Sequence, residues 1–216
     1  TVECSFLMML PDGYDRKTGK RSRGLTACAT RIVMTVTASD PWVSVACEFD
    51  NQSKDHRLSA SFGVPVNATS SVSGQAFYVV DRALKNTPKK NWKQQPSTTA
   101  PLQNFCAVED RRGGLAVLVR GLYEYRALRE GRNTALKLTL LRAVGWLSRH
   151  DLLARNGHAG PHLATPEAQC PGRQRFEYAI MPYAASWRAA NVSLHAQRFQ
   201  APVIDAPCAN GSGGLP

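Results

Sequence analysis

The side chains in this sequence with chemical reach fall into a few groups. His56 and Arg57 are adjacent, and Arg120, Glu124, Arg142 and Arg149 follow in two later stretches. Guanidinium and carboxylate groups are planar, with donors and acceptors in pairs, so these residues suit either recognition of hydroxyl groups or a buried ion network. His150, Asp151, His158 and His162 carry metal-binding atoms. Their spacing is set among Gly157, Gly160 and Pro161, where no helical face would present both imidazoles to one ion. No metal site is expected from them. The acids to consider for proton transfer are Glu109, Asp110, Glu124 and Glu167, and no two stand at a spacing that argues for a working pair. Each reads as a loop or strand-edge acid, and no catalytic residue is expected.

The elements that must position these groups are bounded by composition. With 216 residues, 43% of them hydrophobic, the chain can bury a sizeable core. No window reaches the roughly 20 apolar residues of a membrane span, and the start has neither basic flank nor apolar run of a secretory signal. The chain opens on Thr1 and a strand-like stretch, which reads as a piece of something longer. The six cysteines lie far apart with no Cys-x-x-Cys pair, as expected of scattered buried thiols in a reducing, cytoplasmic setting. Four Asn-x-Ser/Thr triplets, at Asn51, Asn67, Asn191 and Asn210, argue weakly for secretion. The net charge of +11 raises nucleic acid as a partner, but the densest basic runs, 16–23 and 85–93, sit among Gly, Pro, Ser, Thr and Asn and read as solvated loops.

Period-two alternation recurs along the chain. Its first convincing case is 31–37, followed by Val43, Val45, Cys47 and Phe49 on one face, and Leu58, Ala60, Phe62 and Val64 after them, as if in a hairpin. Further runs at 76–80, 105–108, 115–119 and 176–180 make the pattern all-β. Residues 135–147 fit either a strand or a helix. Trp187, Ala190, Leu194 and Phe199 recur at rough helical spacing and predict one short helix within 184–199. The loop 85–101 is the best candidate for a domain boundary, and 209–216 reads as a frayed tail.

Three stretches carry a family resemblance. Phe49-Asp50-Asn51-Gln52-Ser53-Lys54-Asp55-His56-Arg57-Leu58 is similar to an Asn-x-x-x-Asp-His-Arg-Leu hairpin. Gln103-Asn104-Phe105, continued by Gly114-Leu115-Ala116-Val117-Leu118-Val119-Arg120-Gly121-Leu122-Tyr123-Glu124-Tyr125, resembles a Gly-Leu-Ala-Val-Leu-Asn-Arg-Gly-Leu-Pro-Glu-Tyr strand and turn. The third runs from Leu138 to Arg149, with Pro166-Glu167-Ala168-Gln169-Cys170 and Phe176-Glu177-Tyr178-Ala179-Ile180 beyond it. In this order they resemble the C-terminal region of family 38 α-mannosidases and the related mannosylglycerate hydrolases. Val119 stands where that family usually has Asn, Tyr123 where it has Pro, and Ser59 where a second Arg often follows.

The resemblance implies a galactose-mutarotase-like supersandwich of large antiparallel sheets, with residues 135–147 as a strand and residues 1–208 forming the sandwich region. It implies a retaining glycoside hydrolase cutting α-mannosidic bonds with two carboxyl groups about 5 Å apart. The nucleophile and a zinc ion are then expected in an N-terminal catalytic domain outside this chain, which holds no cofactor and is inactive alone. Substrate contacts are expected from His56, Arg57, Arg120, Glu124, Tyr125 and Arg142. Expected partners are an α-mannoside, the catalytic domain and, as an option, further copies of the chain, with neither nucleic acid nor membrane. The alternatives are an autonomous carbohydrate-binding module, which needs exposed aromatic residues such as Trp92, and a nucleic-acid-binding domain, which would show strongly salt-dependent affinity.

Overall fold

The computed structural model describes residues 1–15, 17–85, 90–151, 155 and 157–201. In chain order the strands are β1 (Val2–Pro11), β2 (Tyr14–Asp15), β3 (Lys20–Arg21), β4 (Leu25–Val36), β5 (Val43–Asn51), β6 (Arg57–Val64), β7 (Ser70–Gly74) and β8 (Val79–Ala83). There follow β9 (Ala100–Pro101), β10 (Phe105–Asp110), β11 (Gly113–Arg120), β12 (Glu124–Glu130), β13 (Asn133–Arg142) and β14 (Gly172–Ala184), then the helix α1 (Val192–Gln200). A 3-10 turn, Pro166–Gln169, precedes β14. No helix among the described residues is long and apolar enough to cross a membrane.

The strands form an eight-stranded antiparallel sheet, ordered β1-β4-β5-β14-β11-β10-β7-β8, a four-stranded sheet, β6-β13-β12-β9, and the small β2-β3 ribbon. This is the all-β pattern that the alternation predicts, in the layered antiparallel sheets that the resemblance implies. Strand β13 makes residues 133–142 strand, ending before residues 143–147 of the expected one, and a register shift between Thr139 and Leu141 lets Leu140 and Leu141 both bury. Strands β7, before the 85–101 loop, and β10, after it, pair in one sheet. The expected tail at 209–216 lies outside the described residues.

The main core lies between the two sheets. Val45, Cys47 and Phe49 of β5, Val117 and Val119 of β11, and Phe176 and Tyr178 of β14 meet Leu136 and Leu138 of β13 there. Burying each such side chain stabilises by roughly 1.5–3 kcal/mol. A second cluster lies on the opposite face of the large sheet, where Phe105, Ala107, Ala116, Leu118, Ala179 and Met181 are roofed by Trp187, Val192, Ala196 and Phe199. The central strands are therefore apolar on both faces, and the alternation at 115–119 does not separate an inner face from an exposed one: Val117 and Leu118 are both 0% exposed. The helix is shorter than 184–199, because β14 runs on to Ala184, and its Leu194 is exposed while Val192, Ala196 and Phe199 bury.

Strands β5 and β6 are not a hairpin. They lie in different sheets, so residues 52–56 form a corner that carries the chain from one layer of the sandwich to the other. Cys28, Cys47 and Cys106 are buried free thiols, whereas Cys4, on β1, is exposed.

Candidate functional site

The corner after β5 is built by side chains around it. Asn51 is buried, and its amide donates to the carbonyls of Gln169 and Cys170 at 2.9 and 3.0 Å. Its side-chain oxygen accepts the Ser53 N–H at 3.2 Å. Arg21 donates to the backbone carbonyls of Lys54, Asp55 and Pro11 at 2.9, 2.7 and 2.8 Å. This half-buried arginine of a basic run is thus a bracket for the corner, a role that a reading of solvated loop charges misses. Asp55 takes a left-handed conformation, φ 54°, uncommon for a residue with a side chain. The Gln169 side chain holds it from both sides of the peptide, accepting the Asp55 N–H and donating to its carboxylate, each at 2.8 Å.

That turn sets His56 and Arg57. The His56 carbonyl accepts Ala143 N–H at 2.9 Å, and its ring packs edge-on to Phe49, with centroids 6.3 Å apart. The ring nitrogens are out of water and lack a well-formed hydrogen bond. Burial first, and then the charge of Arg21, lower the pKa of His56, so the neutral imidazole is favoured. Arg57 stands directly opposite Arg142 on the neighbouring β13. Like charges opposed across strands repel. Glu124, at the start of β12, offsets this by reaching both, with Arg57 at 3.5 Å and Arg142 at 3.9 Å. The same carboxylate accepts the hydroxyls of Thr139 at 2.9 Å and Thr99 at 3.1 Å. Two guanidinium groups therefore share one carboxylate, so the cluster by itself carries a positive charge. The guanidinium groups open on a cavity of about 640 Å³ lined by Asp55, His56, Arg57, Arg142, Trp146 and Arg149, among others, with the Asp55 carboxylate in the same cavity wall.

His56, Arg57, Glu124 and Arg142 thus come together, and two of the expected residues do not join them. Arg120 belongs to the far face of the large sheet. It pairs with Glu177 at 2.6 Å, donates to the Phe199 carbonyl at the end of α1, and lies over the Phe199 ring at 4.9 Å. Tyr125 is 1% exposed, and its hydroxyl bonds Ser71 at 3.0 Å, away from that cluster.

The other acids are occupied separately. Glu109 accepts the Tyr183 hydroxyl at 2.9 Å and the Trp187 N–H at 2.7 Å, and Asp110 accepts the Arg112 N–H at 2.9 Å. Glu167 is exposed on the 3-10 turn. The histidines gather as rings rather than as ligands: His162 stacks on Trp146 at 4.6 Å, and His150 lies 5.5 and 5.4 Å from His158 and His162. Among the described residues no group of three or more His, Cys, Asp or Glu side chains is arranged to hold a metal ion. Asp151 is instead held by Arg149, whose hydrogen bond brings its pKa down to about 2.

Comparison with known proteins agrees with this architecture. Residues 21–151 match the family described as glycosyl hydrolases family 38 C-terminal domain, and the chain belongs to that family. A Halalkalibacterium halodurans protein named "Putative mannosylglycerate hydrolase" is 30% identical over 182 residues, which are 84% of this chain and 18% of that protein. Among solved structures, an alpha-mannosidase from Enterococcus faecalis V583 superposes with a TM-score of 0.81 at 26% identity, over 99% of this chain and 24% of that one. A second family 38 protein from Enterococcus faecalis, 24% identical, shares the fold with a TM-score of 0.79. The chain therefore spans a quarter or less of the length of these relatives.

Proposed function

We propose that this chain is the β-sandwich part of a retaining glycosidase acting on α-mannosides, and that it shapes one wall of the substrate cleft for a catalytic part carried elsewhere. The observation that carries this reading is the Arg57–Glu124–Arg142 cluster, whose two arginines line the cavity. Its planar donors fit sugar hydroxyls, and the cluster's own positive charge fits a carboxylate on the group attached to the sugar, such as the glycerate in the name of the Halalkalibacterium relative. His56, held neutral, adds one donor and one acceptor. Arg120 and Tyr125 act at one remove in this reading, Arg120 by bracing α1 and Tyr125 by anchoring the strand that carries Glu124.

The nucleophile, and the zinc ion that would grip the sugar hydroxyls, are assigned to the three quarters of a family 38 polypeptide that this chain does not match. The separate partners of Glu109, Asp110 and Glu124 support that assignment. A cytoplasmic setting is supported by the buried free thiols, and by Asn51, whose amide is buried and hydrogen-bonded and so is no glycan acceptor.

The test has two arms. Residues 1–216 are assayed with an aryl α-mannoside, with and without zinc; turnover by this chain alone refutes the reading. The chain is then titrated with mannosylglycerate and with methyl α-mannoside by NMR. Shifts centred on Arg57 and Arg142, larger for the anionic ligand and lost in Arg142→Ala, are expected. A second reading, a carbohydrate-binding module, is favoured by Phe77, Tyr78 and Tyr123, which are 98%, 69% and 68% exposed. Shifts centred on those rings instead would select it.

A further inference from the structure

We propose that the gap between the two sheets, where β8 and β9 form their edges, is a binding site for a small organic anion whose oxyanion head is held by Arg82 and by the hydroxyls of Ser71 and Tyr125. Ser71 and Arg82 stand directly opposite each other on β7 and β8, so both side chains leave the large sheet on one face. That face is the inner one, because the Ser71 hydroxyl meets the hydroxyl of Tyr125, a core residue of the small sheet, at 3.0 Å. Arg82 is half-buried there and donates to the Ser73 hydroxyl at 2.6 Å, while Ser73 donates to the Pro101 carbonyl of β9 at 3.2 Å. These bonds fix the guanidinium beside a cavity of about 480 Å³, lined by Ser71, Arg82, Leu84, Thr99, Tyr125 and Leu128, among others.

The charge in this gap is one-sided. No Asp or Glu lines the cavity, and Arg82 forms no salt bridge among the described residues. Asp81 is exposed and projects from the opposite face of β8, and Glu124 projects from the opposite face of β12 to Tyr125, where Arg57 and Arg142 hold it. The sequence 84–101, whose two ends line the gap, carries Lys85, Lys89, Lys90 and Lys93 and no acid. A half-buried cation without a counter-charge is destabilising, and an oxyanion is the group that offsets it through charged hydrogen bonds. The hydroxyl pair has the same need. Whichever of Ser71 and Tyr125 donates to the other, one O–H is left without an acceptor among the described residues, although the two side chains are 4% and 1% exposed. The cavity is larger than a bare oxyanion requires and falls within the range of small-molecule sites, about 300–1,000 Å³. Leu84, Ala127 and Leu128 in its wall offer contact to a short carbon body, which a carboxylate or a phosphate monoester would bring.

Titration of residues 1–216 with butyrate, butyl phosphate and butanol, at constant ionic strength and followed by NMR and thermal unfolding, tests the proposal. The anions are expected to shift the amides of Ser71, Arg82 and Tyr125 and to raise the unfolding temperature, as a ligand of the folded state does. The tighter of the two identifies the head group, carboxylate or phosphate, and butanol should have neither effect. Arg82→Gln should weaken binding by about tenfold or more, and Tyr125→Phe, which keeps the core ring, by about threefold, as loss of a charged and of a neutral hydrogen-bond partner does. No shift with either anion, equal shifts with butanol, shifts centred instead on Arg57 and Arg142, or full binding by both variants overturns the proposal.

Discussion

Gln169 and Asp55 hold each other by two reciprocal hydrogen bonds of 2.8 Å, one to the backbone N–H of Asp55 and one from the amide of Gln169 to its carboxylate. Gly145 makes room for the pair, since a Cβ there would lie 2.9 Å from the Gln169 amide nitrogen. The clamp fixes a left-handed residue immediately before His56 and Arg57. Gln169→Ala is expected to lower stability by about 1–2 kcal/mol, the worth of such bonds. Gln169→Glu should cost more, because it sets two carboxylates against each other. Urea denaturation of both variants gives the comparison, and equal stability of the Glu variant and the unmodified chain would show that the clamp does not hold the corner.

Glu124 is the counter-charge of two arginines. Glu124→Gln should destabilise by about 1–2 kcal/mol, more than a lone surface pair, because Arg57 and Arg142 are left opposed. Adding Arg142→Gln should recover part of the loss. A double-mutant cycle reads this coupling directly. Strict additivity would mean that the repulsion between the arginines is already screened by solvent.

The two-faced packing of β11 makes a prediction against its alternation. Leu118→Ala should cost about 2–5 kcal/mol, since it opens a cavity beneath α1. Val117→Ala, between the sheets, should cost about 1–3 kcal/mol. A denaturant series in which Leu118→Ala proved silent would remove α1 from the folded unit.

Acid should weaken the fold in two stages. His56 has a lowered folded pKa, so the folded state binds fewer protons than the unfolded chain, and stability falls as pH drops below the ordinary value of 6.5. The second stage comes from a line of alternating charges across the outer face of the large sheet: Glu3, Arg31, Glu48, Arg175, Glu177 and Arg120. Within it, hydrogen bonds from Arg175 and then Arg120 lower the pKa of Glu177. Its contribution is complete above 4.5 and is lost as pH falls through the lowered folded value. Urea midpoints measured between pH 7 and pH 3 should show both declines. His56→Phe should remove only the first and Glu177→Gln should shrink only the second.

What this sequence determines by itself is local. Period-two alternation is dictated by the pleat, so strands at residues 31–37, 43–49 and 58–64 are legible, as is the all-β class. The order of three motif stretches places the chain in its family, and the pairing of His56 with Arg57 marks the corner as a place to look. Sheet membership is not local, because a strand's own residues do not say which neighbour its backbone groups will meet. Only the folded chain puts β5 and β6 in different layers, turning an expected hairpin into a crossing held by Arg21, Asn51 and Gln169, residues up to 119 positions distant from their partners. Tertiary packing likewise covers both faces of β11, buries Tyr125, sends Arg120 to the far face and gathers Arg57, Glu124 and Arg142 from three strands. Chemistry that depends on two guanidinium groups sharing one carboxylate needs distances of 3.5 and 3.9 Å across strands that are adjacent only in space.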